Sequence, residues 1–149
     1  MKSVENILKQ RDAFGATFFD IGEHTPIAGI KRGIQAFKDA GADVIVSVGG
    51  GSPIDASKAI LHNIQQESGG PFFKQIAVPT TLSAAEYTVS AMYWACGCMG
   101  GSFLWQYGAG YTGEDGHKVG ISSQAPAGII LDAELTLATP ERLWWVILR

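Results

Sequence analysis

The sequence predicts an α/β domain in which helices cover both faces of a parallel sheet, a three-layer arrangement. Three apolar segments near residues 17, 46 and 77 lie about thirty residues apart, the length of a strand–helix–strand unit. The residues between them have the apolar spacing of amphipathic helices. Since crossovers between parallel strands are right-handed in nearly all proteins, these units are expected to form one sheet.

The first part of the chain predicts a short helix, a strand and a second helix. The apolar face of the first helix is formed by Val4, Ile7 and Leu8. Residues 16–19 favour a strand because they are apolar and β-prone. Thr25 is predicted to cap the second helix, with Pro26 at its first position and Gly41 just after its end. The apolar face of this helix consists of Ile27, Ile30, Ile34 and Phe37.

A buried strand, a glycine turn and a third helix follow in immediate succession. Residues 44–48 are almost all Val or Ile, as expected of a parallel strand that is covered on both faces. The glycines at 49–51 allow a sharp turn and a close approach of the backbone to a ligand. Ser52 is predicted to cap a helix that begins at Pro53 and ends near Gln66, and Asp55 adds a negative charge to its first turn.

The main-chain N–H groups of this turn predict a phosphate site. Those of Gly50, Gly51 and Ser52, together with the roughly +0.5 charge of a helix N-terminus, would form a cradle for an anion. A dinucleotide fingerprint would need glycine at Ile54, and a P-loop would need Gly-Lys-Ser/Thr at residues 55–57. An ordinary tight turn is the alternative. A third glycine is hard to explain by the turn alone, so we favour phosphate binding.

A second motif follows the third predicted strand, at 75–78. Thr80 and Thr81 would lie at the carboxyl end of this strand, the edge at which open α/β sheets bind ligands. Ser83 and Glu86 have the spacing of a capping box, which predicts another helix. A capped helix with two loop threonines is the alternative. The position on the same sheet edge as the glycine turn favours a functional role.

Length and composition restrict the classes of function. A chain of 149 residues is about one domain, and its net charge of −3 offers no basic surface for nucleic acid. The N-terminus has no apolar signal core, and Cys96 and Cys98 are too close together for a disulfide framework. These observations predict a cytoplasmic protein that binds neither nucleic acid nor a membrane.

Together the two motifs resemble those of the iron-containing alcohol dehydrogenase superfamily, whose glycine turn is Gly-Gly-Gly-Ser-x-x-Asp, as at residues 49–55 here. The sequence Leu-Ser-Ala-Ala-Glu at 82–86 is more similar to the maleylacetate reductase branch. Further matching segments are 117–121, 129–136 and Thr139-Pro140, so that the resemblance covers residues 1–90 and 114–143. It implies a Rossmann-like nucleotide-binding domain with NAD or NADP as cofactor.

The resemblance also implies roles for individual residues. The glycine turn would hold the pyrophosphate of NAD(P), with Asp55 and Lys58 as companions in the motif. The loop after the third strand would line the cofactor cleft near the nicotinamide. The cofactor-binding residues implied in this way are Gly49, Gly50, Gly51, Ser52, Asp55, Thr80, Thr81, Ser83 and Lys118. No catalytic acid or base can be named.

The activity implied is NAD(P)H-dependent reduction of maleylacetate or a related small carbonyl or alcohol substrate. The chain would be a catalytically incomplete fragment of such an oxidoreductase. Whether it forms a homodimer is left open. One alternative is a non-catalytic nucleotide-binding fragment. Another is the remnant of an enzyme similar to glycerol dehydrogenase or dehydroquinate synthase.

The sequence departs from the superfamily pattern in its second half. Relatives continue into a helical domain with a Gly-x-Asp-x-x-x-His motif and further histidines that bind the metal, and this chain is expected to lack that domain. Its histidines, His24, His62 and His117, lie in no metal-ligand motif, so the family iron or zinc is expected to be absent. We predict an incomplete NAD(P)-binding domain at 1–143, and a tail at 144–149 that is foreign to the family.

An atypical insert at 89–113 interrupts the resemblance. It contains no charged residue, and it is rich in aromatic residues and glycine. A membrane-associated segment is a weaker alternative, because the aromatic residues are spread through it instead of lying at its ends. We expect this insert to be foreign to the fold and poorly ordered or detached from the sheet. Residues 114–135 are expected to form strands that rejoin the sheet.

Overall fold

The computed structural model describes residues 2–22, 25–88, 110–112, 114, 118–121 and 123–140. It contains helices, strands and one 3-10 turn, and their order follows the prediction from the second predicted helix to the third predicted strand. The helices are α1 (Lys2–Gln10), α2 (Ile27–Asp39), α3 (Gly51–Ser68) and α4 (Ala133–Thr136). The strands are β1 (Val44–Gly49), β2 (Lys74–Pro79), β3 (Gly110–Thr112), β4 (Lys118–Gly120) and β5 (Gly128–Ile129), and the 3-10 turn is Ala85–Tyr87.

A parallel sheet of three strands organises the described residues, in the order β1-β2-β5. Strands β1 and β2 are in register along their whole length, from Val44 opposite Lys74 to Gly49 opposite Pro79. The ladder continues one step further, because the N–H of Thr80 donates to the carbonyl of Gly49 at 2.9 Å. The predicted α/β class with a parallel sheet is confirmed, and the segments that follow β1 and β2 leave the sheet side by side.

The main core lies between α3 and α2. Helix α3 contributes five of its buried apolar residues, and α2 contributes Ile30 and Phe37. A Cβ on Gly33 would lie 2.4 Å from Cδ1 of Ile60, so this glycine permits the close approach of the two helices. Burial of each large aliphatic side chain contributes about 1.5–3 kcal/mol to folding, which makes α3 the central helix of the unit.

The strand predicted at 16–19 is wrong. These residues pair with no strand among the described residues, and the side chain of Phe19 is exposed. The N–H of Ile21 donates to the carbonyl of Phe19 at 2.9 Å, a turn of three residues that uses these main-chain groups locally. A β-prone composition needs a neighbouring strand, and here none supplies the ladder.

Two predicted helix caps are also wrong. The N-cap of α2 is Pro26, while Thr25 has a φ of 54° and donates from Oγ1 to the carbonyl of Ser52 at 3.3 Å. The N-cap of α3 is Gly50, which places Ser52 inside the first turn. In both cases the backbone reaches the helix in an extended conformation one or two residues from the predicted cap, so the hydroxyl does not face the first-turn N–H groups.

The helix predicted from the capping box is a single 3-10 turn. Its N-cap is Ala84, in the left-handed region, and no side chain caps it. The N–H of Ala85 donates to Oγ of Ser83 at 3.5 Å, while Glu86 is buried and does not complete the box. Ser83 therefore closes a local turn instead of starting a helix.

The later strands divide between two sheets. Strand β5 pairs in parallel with β2, Gly128 lying opposite Ile76, as predicted for a strand that rejoins the sheet. Strand β4 does not rejoin it, because β4 pairs antiparallel with β3 in a separate sheet of two strands. Within the predicted insert, 110–112 form β3, apart from the parallel sheet, while 89–109 and 113 lie outside the described residues, as does the predicted tail at 144–149.

The long helix α3 has polar residues through its sequence, and none of the helices in the described part is long and apolar enough to cross a membrane. The membrane-associated alternative concerned residues 87–113, most of which lie outside the described residues.

Candidate functional site at the carboxyl edge of the sheet

The glycine turn between β1 and α3 has a backbone that requires glycine at its first position. Gly49 has a φ of 150°, and a Cβ there would lie 2.8 Å from Cγ of Pro53. Gly50 follows in an extended conformation and caps α3 without any side-chain hydrogen bond. The N–H groups of Gly51 and Ser52 belong to the first turn of the helix, where no intrahelical carbonyl is available to them. The turn thus presents main-chain donors at the positive end of an 18-residue helix.

The loop after β2 packs directly against this turn. A Cβ on Gly50 would lie 3.2 Å from Oγ1 and Cγ2 of Thr81, and a Cβ on Gly51 would lie 3.2 Å from Oγ of Ser83. The structure therefore brings together the two motifs that were identified separately in the sequence. It also shows that the glycines have a second role, because a side chain at either position would push the threonine loop away.

Hydrogen bonds to main-chain groups fix the start of the loop. Thr80 is held on one side by its N–H bond to Gly49, and its carbonyl accepts a bond from Oγ1 of Thr139. The first turn of α3 is held on the sheet by Gln75, whose Nε2 donates to the carbonyl of Ile54 at 3.1 Å. The backbone of Thr80 thus holds the loop in place, and the side chains of Thr81, Ser83 and Ala85 lie next to the glycine turn.

A cleft of about 410 Å³ opens beside Thr81, within the usual range for small-molecule sites. One wall is the loop after β2, and the other is the segment that follows β5. The residues that line the cleft are mostly apolar, with a few polar groups among them. The lining residues are Pro79, Thr81, Leu82, Ala84, Glu86, Tyr87, Leu131, Asp132, Ala133 and Thr136. Asp132 also accepts the N–H of Glu134 at 2.9 Å, which caps α4.

Beneath this edge lies a buried cluster of charged groups. The side chain of Lys58 is 0% exposed, and its Nζ lies 3.4 Å from Oδ1 of Asp55. The same Nζ donates to the carbonyl of Ala85 and, at 3.0 Å, to Oγ1 of Thr88. Glu86 is 3% exposed, and its Oε2 has no hydrogen-bond partner among the described residues. The cluster links the first turns of α3 to the 3-10 turn.

Burial controls the protonation of this cluster. It raises the pKa of Asp55 to about 6, and the charge of Lys58 opposes this effect. It lowers the pKa of Lys58, and the charges of Asp55 and Glu86 oppose that effect. Desolvation disfavours the charged form of each group, while the opposite charges nearby favour it.

The burial of Lys58 was not predicted from the sequence, although the position of this lysine on α3 contains a signal. Lys58 follows Ile54 by four residues and precedes Leu61 by three, so that it shares the apolar face of α3. Both of these apolar residues are buried. A lysine on such a face needs acceptors from elsewhere in the fold, and the 3-10 turn after β2 supplies them.

Other predicted residues lie away from the site or beyond the described part of the chain. The backbone of Lys118 opens β4, and its side chain lies outside the described residues, as do His24 and His117. His62 lies on α3, with its ring 6.5 Å from that of Phe72. In the part of the chain that the structure describes, no group of three or more His, Cys, Asp or Glu residues is placed to hold a metal ion.

The matching family model and two similar curated proteins indicate the same family. The family model for iron-containing alcohol dehydrogenase matches residues 1–95. The maleylacetate reductase of Rhizobium sp. strain MTP-10005 is 34% identical over 125 residues, which cover 83% of this chain and 28% of that protein. Maleylacetate reductase 2 of Cupriavidus pinatubonensis is 40% identical over 86 residues, which cover 56% of this chain and 22% of that protein. The chain thus spans less than a third of the length of either relative.

Solved structures agree with the sequence comparison. The crystal structure of the Rhizobium maleylacetate reductase matches with a TM-score of 0.67 and 30% identity, covering 93% of this chain and 33% of that one. Sulfoacetaldehyde reductase from Bifidobacterium kashiwanohense, solved in complex with NAD+, matches with a TM-score of 0.67 and 20% identity, covering 95% of this chain and 38% of that one. The second match shows a shared fold.

Proposed function

The chain belongs to the iron-containing alcohol dehydrogenase family, and we propose that it forms the dinucleotide-binding part of an NAD(P)-dependent oxidoreductase. The observation that carries the proposal is the convergence of two loops at one sheet edge. The glycine turn supplies main-chain donors and helix polarity, and the Thr81 loop packs on it within van der Waals contact. Such an edge is where open α/β sheets bind nucleotides.

The glycine turn offers main-chain donors that suit the anionic oxygens of a pyrophosphate. The N–H groups of Gly51 and Ser52 point out of the first turn of α3 without intrahelical partners, and no side chain caps this helix. Anionic oxygens satisfy such donors and gain from the helix dipole. The glycines at 49–51 let Pro53, Thr81 and Ser83 pack close to this turn, so the proposed phosphate contacts are to its main-chain N–H groups.

The cleft beside Thr81 is the proposed position of the rest of the cofactor. Its volume and mostly apolar walls suit an aromatic ring, and Thr81 and Tyr87 lie on one wall of it. When bound, a nicotinamide cofactor supplies or accepts the hydride. The residues of this chain would bind and orient it, and would exclude water from one face.

The proposed substrate class is maleylacetate or a related small carbonyl or alcohol compound, after the relatives named maleylacetate reductase. We assign no catalytic acid or base. The unit extends over residues 1–143 in this proposal, with 144–149 outside it, and the chain alone would bind the dinucleotide without turnover. A cytoplasmic protein and the choice between monomer and homodimer stay predictions.

The metal of the family has no fitting ligand set among the described residues, so no step is derived through it. We expect the purified chain to retain no stoichiometric iron or zinc and to show no NADH oxidation with maleylacetate. Elemental analysis after dialysis and an absorbance assay at saturating substrate test this. One metal per chain together with measurable reduction would contradict it.

The cofactor site is tested by Gly50→Val. Its side chain would meet Thr81 and push the loop after β2 away from the turn, so NAD+ affinity should fall by about tenfold or more, which corresponds to about 1.4 kcal/mol. Isothermal titration calorimetry of the 149-residue chain measures this. Gly70→Val is the matched control, because Gly70 lies after α3 with only Oγ of Ser68 near its added Cβ, at 3.5 Å. Equal affinities for the two variants would remove the assignment.

A further inference from the structure

We propose that Lys58 is a positioning residue for the nucleotide site, which holds the loop after β2 against the glycine turn and makes no contact with phosphate. The proposal rests on the proposed function, since it assumes that the glycine turn binds a dinucleotide. It concerns a cation that lies six residues after Ser52 and accompanies the glycine motif.

The partners of the ammonium group leave no donor for a ligand. An ammonium has three N–H donors. Those of Lys58 are directed to the carbonyl of Ala85, to Oγ1 of Thr88 at 3.0 Å and to Oδ1 of Asp55 at 3.4 Å. The side chain is also 0% exposed, so no solute reaches it without a rearrangement of the fold.

Two of these partners belong to the loop that borders the proposed cofactor cleft. Ala85 and Thr88 lie at opposite ends of the 3-10 turn, and Oγ1 of Thr88 also donates to the carbonyl of Ala85 at 3.0 Å. The start of the same loop is held at Thr80 by Gly49 and Thr139. Lys58 is therefore the anchor of the far end of the loop, from within α3.

The hydrogen bonds of Lys58 also affect the main-chain donors of the glycine turn. Ser83 and Ala85 are the residues nearest to a Cβ on Gly51, at 3.2 Å and 3.8 Å. If the 3-10 turn moved away from α3, the wall next to the main-chain donors of Gly51 would move with it. Loss of the lysine would also leave Asp55 and the buried Glu86, whose negative charges repel each other, without the neighbouring cation.

Two variants and one control test the proposal on the full chain. Lys58→Met removes the cation, and Thr88→Val removes one acceptor while it keeps the shape of the side chain. Lys38→Met is the control, because Lys38 lies on α2 and pairs with Glu67 at 2.5 Å on the exposed surface. Hydrogen exchange in the absence of ligand compares residues 80–88 with strand β2, and calorimetry measures the affinity for NAD+.

In Thr88→Val we expect exchange in 80–88 to rise at least about threefold and NAD+ affinity to fall by a similar factor. In Lys58→Met both effects should reach about tenfold or more, while exchange in β2 stays unchanged. Lys38→Met should match the wild type in both measurements. If Lys58→Met does not fold, Thr88→Val alone decides the question.

Each other outcome overturns the proposal in a distinguishable way. A loss of affinity without faster exchange in 80–88 would make Lys58 a direct ligand of the phosphate. Faster exchange with unchanged affinity would make its role structural only. A wild-type chain that does not bind NAD+ would contradict the proposed function, and this proposal would fail with it.

Discussion

The two loops that leave the sheet after β1 and β2 lie against each other, yet they are held in different ways. The turn after β1 is defined by its backbone, with glycine required at φ 150° and no side-chain cap on the helix that follows. The loop after β2 is held by side chains from elsewhere, Lys58 from α3 and Thr139 from the segment beyond α4. The shape of the glycine turn thus depends on residues that are adjacent in the sequence. The position of the loop after β2 depends on contacts with residues that are distant in the sequence.

This difference predicts that the largest effect of a single substitution will come from the backbone of the first turn. Gly49→Ala places a side chain at a φ that only glycine adopts easily, 2.8 Å from Cγ of Pro53. We expect it to lower the free energy of unfolding by about 2–3 kcal/mol. Urea denaturation followed by circular dichroism measures the change.

Gly41→Ala is the matched control for that experiment. Gly41 also has a positive φ, of 59°, but nothing lies within 4 Å of its added Cβ. Its cost should be only about 1 kcal/mol, the ordinary penalty of the left-handed region. If the two variants lost the same amount, the glycine turn would be no more constrained than an ordinary helix end.

The same difference between local signals and tertiary contacts explains which elements were predicted correctly from the sequence. The order of helices and strands, the parallel sheet and the glycine turn depend on periodicity and on glycine, which are local signals. The strand at 16–19 was wrongly predicted because a strand also requires a neighbour to pair with. The capping box at Ser83 and Glu86 was wrongly predicted because Glu86 is buried, where its charge acts on Lys58, a residue 28 positions away in the sequence.

A smaller effect is expected from the buried charges beneath the loop after β2. Because the folded-state pKa of Asp55 is raised to about 6, the folded protein binds this proton more tightly than the unfolded chain does. The stability from this group is therefore full below pH 3.8, the ordinary pKa of the group, and is lost as the pH rises through 6. Lys58 and Glu86 are the charged groups that act on it.

We expect the free energy of unfolding of the wild type to fall by about 1 kcal/mol more between pH 5 and pH 7 than that of Asp55→Asn. Urea denaturation at the two pH values measures the difference. Asp43→Asn, which changes an exposed carboxylate just before β1, should keep the wild-type dependence. An Asp55→Asn variant with an unchanged pH dependence would show that this carboxyl titrates normally.

The most direct test of the central claim is a titration of the 15N-labelled chain with NAD+, followed by the amide signals of the two loops. The account predicts that Gly50, Gly51 and Ser52 shift together with Thr81 and Ser83, with one common dissociation constant, while the amides of α2 stay in place. Saturable shifts confined to another surface, or no shifts at millimolar NAD+, would contradict it.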